Sequence, residues 1–220
     1  MRSAREVFRK RRKGTIMLAL DHLAVAATAL DEGVAVVEQA LGVSLAGGGA
    51  HPLMGTHNRL LGLGDIYLEV ISINPVAPAP DHPRWFDLDN FSGAPRITNW
   101  ICRTGDLAAA IAASPDGVGV PVALTRADLR WQMAVPSDGK LPFDNAYPAL
   151  IQWQGAAHPA ARLEDVGCRL LRLEVVHPDA VALKTALADQ FDDARVSFSV
   201  GDVVAYRAEI ATPHGVRVLD

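Results

Sequence analysis

One order of strand and helix patterns recurs along the chain, and this recurrence constrains the fold more than any single residue does. A strand followed by a helix and further strands begins at Met17, again at Ile97 and again at Arg169. Repeated units of this kind predict an α+β fold built from tandem βαβββ modules. Two modules side by side give a curved mixed sheet with a concave pocket and with the helices on its outer face, which is a natural ligand site.

The first module has the clearest pattern. Residues 17–27 are apolar apart from Asp21 and His22, as expected for a buried strand. A helix is predicted between a cap at Thr28 and a stop at Gly42. Three more strands are predicted at 43–46, 57–62 and 66–73.

The second and third modules follow the same order less clearly. The second has strands at 97–103, 120–125, 129–135 and 149–153, with a helix at 106–113. The third has a strand at 169–176 and a helix that starts at Pro178, a residue that the first helical position tolerates. Its remaining strands are 196–200, 203–211 and 216–219, and the first two are expected to pair across Gly201.

The basic residues are unevenly distributed. Residues 1–13 carry seven Lys or Arg side chains and one Glu, which leaves 14 basic and 24 acidic residues in 14–220. An acidic body repels a phosphate backbone, so we predict no nucleic-acid partner for the main domain. The basic leader is a targeting region, a nucleic-acid or membrane tail, or a solvated appendage, and we favour the appendage.

We therefore divide the chain into a basic appendage (1–16), the paired modules (17–160) and a third partial module (161–220) packed on the same sheet system. No stretch approaches the roughly 18 apolar residues that a membrane span needs, so no membrane association is expected. Cys102 and Cys168 form no CxxC pair, which favours free thiols and a cytoplasmic location. The sequence leaves open whether the protein forms a homodimer.

Three segments of the first module carry a family resemblance. They are LDHLAV at 20–25, GGAHPLMGTHNRL at 48–60 and YLEVI at 67–71. The chain resembles the vicinal oxygen chelate superfamily, and its glyoxalase-like branch in particular. The resemblance implies a cupped sheet that holds a divalent metal (Zn, Ni, Mn or Fe) and binds two adjacent substrate oxygens.

The resemblance also implies which positions carry the metal ligands. They lie on the first and last strands of the two paired modules, and they fall on His22 and Glu69 in the first module and on Trp100 and Gln152 in the second. Trp100 cannot bind a metal, so the implied metal set is His22, Glu69 and Gln152, with Trp100 as a pocket wall. A fuller set would need His51, His57 or His158. Without a metal, His22 and Glu69 are an acid/base pair.

Strand alternation places each of these residues on one face of its strand, and the pairing of the first and last module strands that the resemblance implies brings those faces together. The tips of His22 and Glu69 should lie within about 6 Å of each other, at a distance from which they can share one ion. Gln152 should approach the same point. Asp21 should point to the opposite face, because neighbouring residues on a strand alternate.

Other residues are candidates for substrate binding. His57, Asn58 and Arg59 follow a Gly-rich segment and can orient polar oxygens, although Asn58 can equally cap its own turn. Trp100 and Gln152 are expected to join them. Four further aromatic residues can line the pocket or belong to the core, namely Trp85, Trp131, Tyr147 and Trp153.

Two functions from different classes follow. The first is a glyoxalase-like small-molecule enzyme of the lyase, isomerase or dioxygenase type, with His22 and Glu69 as catalytic residues. The alternative is a non-catalytic protein of the same fold that binds or sequesters a small molecule. His22 and Glu69 favour the enzyme, while Trp100 and Gln152 favour the binding protein.

Overall fold

The computed structural model describes residues 17–220, so the basic appendage at 1–16 lies outside the described residues. The described residues form twelve β-strands and three α-helices. The first module contains β1 (Ala19–Ala26), α1 (Leu30–Leu41), β2 (Ala50–His51), β3 (Thr56–Gly62) and β4 (Tyr67–Ile73). The second contains β5 (Arg96–Arg103), α2 (Leu107–Ala112), β6 (Val120–Arg126), β7 (Leu129–Val135) and β8 (Ala149–Trp153). The last part contains β9 (Arg169–His177), α3 (Ala180–Leu187), β10 (Val196–Val200), β11 (Ala205–Thr212) and β12 (Gly215–Leu219).

The first eight strands form one curved mixed sheet in the order β2-β3-β4-β1-β5-β8-β7-β6. Within each module the first strand pairs in parallel with the last, β1 with β4 and β5 with β8. The two modules join through the antiparallel pair β1 and β5 at the centre of the sheet. The predicted α+β architecture of paired βαβββ modules is therefore confirmed.

The helices pack against one face of this sheet and leave the other face concave. Helix α1 contacts β4 and buries Leu30, Val37 and Leu41, whose spacing is typical of an amphipathic helix. Helix α2 contacts β8 and starts at Asp106, whose side chain accepts a hydrogen bond from the Ala109 N–H. The concave face is thus left for a ligand.

Two local predictions in the first module were wrong. Helix α1 starts after Ala29, and the Thr28 hydroxyl bonds the Glu32 side chain instead of capping the helix. Residues 43–46 form only an isolated bridge between Ala46 and Leu60. The helix stop at Gly42 is confirmed, with the left-handed φ of 72° that favours glycine.

The last four strands form a separate sheet in the order β10-β9-β11-β12. The predicted pairing of β10 with β11 was wrong, because β9 lies between them and pairs with both.

One hydrophobic core spans both sheets. Trp100 of β5 is fully buried there, with its ring centroid 5.1 Å from that of Phe191 and 6.1 Å from that of Phe198. The division of the chain at residue 160 stays a prediction.

Two further findings concern the expected absence of a membrane span and the state of the two cysteines. Within residues 17–220, no helix is long and apolar enough to cross a membrane. Cys102 and Cys168 are both buried and free, and burial raises the pKa of the Cys102 thiol well above its usual value. Both cysteines are thus unreactive residues of the core.

Candidate active site

A small cavity of about 30 Å³ lies on the concave face of the curved sheet and is partly open to solvent. Both modules contribute to its walls. Its polar lining consists of His22, His51, Asn58, Glu69 and Arg126. Its aromatic lining consists of Tyr67, Trp85, Phe86, Trp131 and Trp153. A few convergent polar groups within apolar walls are typical of a small-molecule site.

His22 and Glu69 meet inside this cavity. The Nε2 atom of His22 lies 3.6 Å from Oε2 of Glu69, well within the separation expected from the sequence. The pairing of β1 with β4 explains this, because His22 is in register with Tyr67 and Glu69 lies two residues further along the same face. The His22 and Tyr67 rings stack at 4.4 Å. Both members of the pair are almost fully buried.

Asp21 does not point to the opposite face, so that prediction was wrong. The β1–β5 pairing shifts register between Leu20 and His22, and this irregularity removes Asp21 from the regular alternation. Oδ1 of Asp21 accepts a hydrogen bond from Nδ1 of His22 at 2.7 Å. Oδ2 accepts bonds from Nε1 of Trp153 at 3.0 Å and from Nε2 of His158 at 2.9 Å. Asp21 therefore fixes the orientation of the His22 ring.

The three buried groups hold opposite charges. Burial lowers the pKa of His22, but the carboxylates of Asp21 and Glu69 outweigh it and raise that pKa to about 8. Burial raises the pKa of Glu69, but the effects of His22, His51 and Asn58 outweigh burial and lower that pKa to about 2. The pKa of Asp21 is likewise held well below its usual range by His158 and His22, against the effect of burial. At neutral pH, His22 is an imidazolium between two carboxylates.

Asn58 holds Glu69 in place. Its Nδ2 donates a short hydrogen bond to Oε1 of Glu69. Its Oδ1 accepts bonds from the Gly49 N–H at 2.9 Å and from Nη1 of Arg126 at 3.0 Å. Asn58 thus links the carboxylate of the first module to a guanidinium of the second.

His51 is the neutral histidine of the cavity. Burial lowers its pKa to about 4, with help from the positive charge of Arg126. Its Nδ1 lies 3.2 Å from Oγ1 of Thr56, and its Nε2 lies 3.3 Å from Nη1 of Arg126. Since Arg126 can only donate, Nε2 accepts and Nδ1 carries the proton.

The structure does not bring Trp100 or Gln152 to the site. Trp100 lies on the convex face, where its Nε1 donates to the Ala146 carbonyl at 2.9 Å. The Gln152 side chain accepts from the Leu107 N–H at 2.8 Å and donates to the Gly105 carbonyl at 3.0 Å, at the start of α2. Their expected places in the pocket wall and the metal set are therefore corrected.

The pairing register shows that the sequence alignment was off by one residue in both strands. Ile101 pairs with Ala149 in the second module as His22 pairs with Tyr67 in the first. Ile101 therefore corresponds to His22, and by the same register Ile151 corresponds to Glu69. The second module contributes apolar side chains where the first contributes a histidine and a carboxylate.

Strand alternation separates the three consecutive candidates of β3. Asn58 lines the cavity, whereas His57 and Arg59 are outside its lining and half-buried. Their contact with substrate therefore stays a prediction. Among the candidate aromatic residues, Trp85, Trp131 and Trp153 line the cavity, but the Tyr147 hydroxyl donates to Ser114 at 3.1 Å outside it.

The donors of this site do not fit a divalent metal. Within residues 17–220, no group of three His, Cys, Asp or Glu side chains could hold a metal ion. His22 and Glu69 supply two ligand atoms, and the third side chain that the sequence suggested, Gln152, lies elsewhere. The cationic guanidinium of Arg126 sits against Asn58 and His51 on the same side of the cavity, where it repels a second cation.

Sequence reasoning missed Asp21 and Arg126 as members of the site. Asp21 was misplaced by assuming regular alternation through β1. Arg126 ends β6, in a stretch with no motif, and reaches the first module only because the sheet curves. The sequence offered a weak signal for Asp21 alone, since a buried carboxylate next to a histidine needs a partner.

Paired βαβββ modules around a concave cavity define a protein of the vicinal oxygen chelate fold. A family model with the description "glyoxalase-like domain" matches residues 20–191. The chain therefore belongs to the glyoxalase-like domain family, which confirms the resemblance seen in the sequence. No curated protein matches the chain.

The chain is similar to several solved structures at low sequence identity. A hypothetical protein from Staphylococcus aureus is 15% identical with a TM-score of 0.61, over 86% of this chain and 88% of that one. Methylmalonyl-CoA epimerase from Mycobacterium tuberculosis is 19% identical with a TM-score of 0.43, over 66% of this chain and 93% of that one. A variant of the Streptomyces coelicolor epimerase in complex with 2-nitronate-propionyl-CoA is 16% identical with a TM-score of 0.41, over 64% and 99%.

Proposed function

We propose that this protein is a small-molecule enzyme of the isomerase or lyase type, in which Glu69 and His22 exchange protons with a substrate on the concave face. The observation that carries the proposal is the 3.6 Å separation between His22 Nε2 and Glu69 Oε2 inside a cavity whose lining is about half polar and half apolar. Paired titratable groups in such a cavity, with pKa values pushed apart, are typical of acid/base catalysis.

The charge states assign the roles. Glu69 is a carboxylate at neutral pH and can accept a proton, and His22 is an imidazolium whose Nε2–H can donate one. When a C–H bond next to a substrate carbonyl breaks, its proton passes to Glu69 and its electron pair moves to the carbonyl. The carbonyl oxygen then takes the Nε2 proton of His22 and becomes an enol, and the return of the protons completes the reaction.

Asp21 and Asn58 position the two groups. Asp21 holds Nδ1 of His22, so Nε2 is the nitrogen that faces Glu69. Asn58 bonds one oxygen of Glu69, which leaves the other for the substrate proton. The reaction needs no metal, and this favours an isomerase or lyase over a dioxygenase, which needs a redox-active metal or another cofactor.

Deuterium exchange tests the proposal. The protein is incubated in D₂O with a panel of small carbonyl compounds that have a C–H bond next to the carbonyl, and proton NMR follows the loss of that signal. We expect exchange in at least one compound, slowed about 100-fold or more by Glu69→Gln and by His22→Gln. Glu209→Gln, a half-buried carboxylate of the second sheet, is the matched control.

A binding protein of the same fold is the second candidate. Aromatic side chains dominate the apolar walls, and the carboxylate of Asp21 is saturated by three hydrogen bonds, as in a static site. Compounds that bind the cavity without any exchange would favour this candidate over the enzyme. Exchange that survives Glu69→Gln would contradict the assigned roles.

A further inference from the structure

Arg126 carries hydrogen-bond donors that the described residues do not use. Its Nη1 donates to Asn58 Oδ1 and lies against His51 Nε2, at 3.0 and 3.3 Å. Within residues 17–220, its Nε and Nη2 have no acceptor and no carboxylate forms an ion pair with it. A guanidinium has five N–H donors, no acceptor and a permanent positive charge. Since none of the described carboxylates pairs with Arg126, the positive charge in the cavity wall lacks an anionic partner among residues 17–220.

Trp85, a neighbour of His51, carries a second donor without a partner in residues 17–220. The indole Nε1 of Trp85 is buried and has no hydrogen-bond partner among the described residues. The Trp85 ring meets the His51 ring edge-on at 5.2 Å, and it lines the same cavity as Arg126. The Trp85 Nε1 atom is closed off from the cavity, so the free donors that a ligand can reach are those of Arg126. They favour a ligand group that only accepts hydrogen bonds, and a carboxylate is such a group.

Charge and size narrow the choice of anion. Asp21 and His22 offset each other, which leaves the carboxylate of Glu69 and the guanidinium of Arg126. Glu69 repels a doubly charged phosphate more than a singly charged carboxylate. A cavity of about 30 Å³ also suits the smaller group.

Strands β7 and β8 supply an apolar part of the cavity wall. It consists of Trp131, Met133, Ile151 and Trp153, which offer contacts to a hydrocarbon or aromatic body. Since Glu69 lies beside Asn58, which Arg126 also contacts, an anion held by Arg126 places the rest of its molecule near Glu69.

We propose that Arg126 anchors a substrate carboxylate, and that the substrate is a small carboxylic acid with an apolar body. This proposal names the substrate class of the proposed enzyme and rests on that function. The apolar wall holds the body, and the carbon that loses its proton lies between the carboxylate and Glu69.

Gly49 offers a way to move Arg126 without removing its charge. A Cβ at Gly49 would lie 2.7 Å from Cδ of Arg126, so Gly49→Ala forces the side chain to shift. Gly47→Ala is its matched control, because nothing lies within 4 Å of a Cβ at Gly47. For loss of the guanidinium itself, Arg126→Ala is compared with Arg130→Ala, which removes an exposed arginine from β7.

The test measures binding through the fluorescence of the cavity tryptophans. The probes are acetate, isobutyrate and phenylacetate, each against its neutral amide, with phenyl phosphate as a further anion. We expect each carboxylate that binds to bind at least about tenfold more tightly than its amide. Arg126→Ala and Gly49→Ala should remove this preference, while Arg130→Ala and Gly47→Ala should keep it. Because a purely structural role of Arg126 would weaken acid and amide alike, the preference isolates the anion site.

Three outcomes would overturn the anchor. They are equal binding of acid and amide, tighter binding of phenyl phosphate than of phenylacetate, and no carboxylate binding at millimolar concentration. The same titration on Glu69→Gln separates this proposal from the proposed function, since that variant should keep the carboxylate preference. A preserved preference without any deuterium exchange in the wild type would leave the anchor standing and remove the enzyme. Deuterium exchange confined to neutral carbonyl compounds would support the enzyme and remove the carboxylate anchor.

Discussion

Asp21 and His22 are neighbours in sequence, yet both side chains reach the same buried network, with Oδ1 of Asp21 2.7 Å from Nδ1 of His22. A regular strand would place them on opposite faces. The register shift between Leu20 and His22 in the β1–β5 pairing allows the contact. The contact sets the charge of His22, and two predictions follow from it.

The first prediction concerns pH and stability. The pKa of His22 is raised from 6.5 to about 8, so the folded protein holds this proton more tightly than the unfolded chain. The resulting stabilisation, about 2 kcal/mol, is complete below pH 6.5 and is lost as the pH rises through 8. Thermal unfolding across this window should show a falling Tm in the wild type and a flatter profile in His22→Gln. Equal slopes in both proteins would contradict the assignment.

The second prediction measures the contribution of Asp21 to the pKa of His22 separately from that of Glu69. Asp21→Asn removes a carboxylate that raises the pKa of His22, so that pKa should fall below about 8. NMR titration of the His22 ring protons measures it directly, and the alkaline limb of any exchange activity should move to lower pH with it. Asp192→Asn, at an exposed position, is the control and should leave both unchanged. A His22 titration identical to the wild type would show that Asp21 has no such role.

The third prediction concerns metal content. With two ligand atoms in the cavity and Arg126 beside them, we expect no stoichiometric Zn, Ni, Mn or Fe in protein purified without a His-tag or chelator. EDTA should leave deuterium exchange and Tm unchanged. Elemental analysis that finds one tightly bound ion per chain, lost in His22→Ala and Glu69→Gln, would restore the metal set that the family resemblance implied.

The fourth prediction concerns the glycines before β2. A Cβ at Gly48 would lie 2.0 Å from the Asn58 carbonyl oxygen, so Gly48→Ala forces backbone atoms of β3 to move. We expect a loss of about 1–3 kcal/mol, seen as a Tm lower by several degrees. Asn58 should release Glu69 in part, and exchange should fall. Gly47→Ala has open space at its Cβ and is the matched control. Equal stability of the two variants would contradict the close approach.

Much of the secondary structure could be predicted from the sequence, because alternation and turn residues are local signals. Strands β7, β8 and β10 begin and end where the pattern placed them, at 129–135, 149–153 and 196–200. The pairing of β10 could not be predicted in this way. The turn at Gly201 favours a hairpin locally, but the parallel partner β9 lies much earlier in the chain.

Only the part of the candidate site that the first module contributes could be predicted from the sequence. The closeness of His22 and Glu69 came from the family resemblance combined with alternation. In β8 the residues Ile151 and Trp153 line the cavity, so the intervening Gln152 has to face α2. The same rule, applied to β3, separates Asn58 from its neighbours. The position of Arg126 could not be predicted, since it depends on the curvature that brings β6 near β3.

The last prediction concerns the second sheet. Trp100 is fully buried between the two sheets, against Phe191 and Phe198, and the Tyr206 hydroxyl donates to the Asn145 carbonyl at 2.7 Å. A chain that ends at Pro159 loses the partners of Trp100 and exposes a large apolar face, so we expect it to be insoluble.

Deletion of residues 1–16 is the comparison for this truncation. It removes a charged segment that we interpret as a solvated appendage, so the shortened protein should be soluble and keep its Tm within a degree or two. A fall of more than about 5 °C, roughly 1 kcal/mol or more for a chain of this size, would show that the appendage packs on the body. If the chain ending at Pro159 were soluble and unfolded cooperatively, the second sheet would be an independent domain, and Trp100 would have to find cover within the first sheet alone.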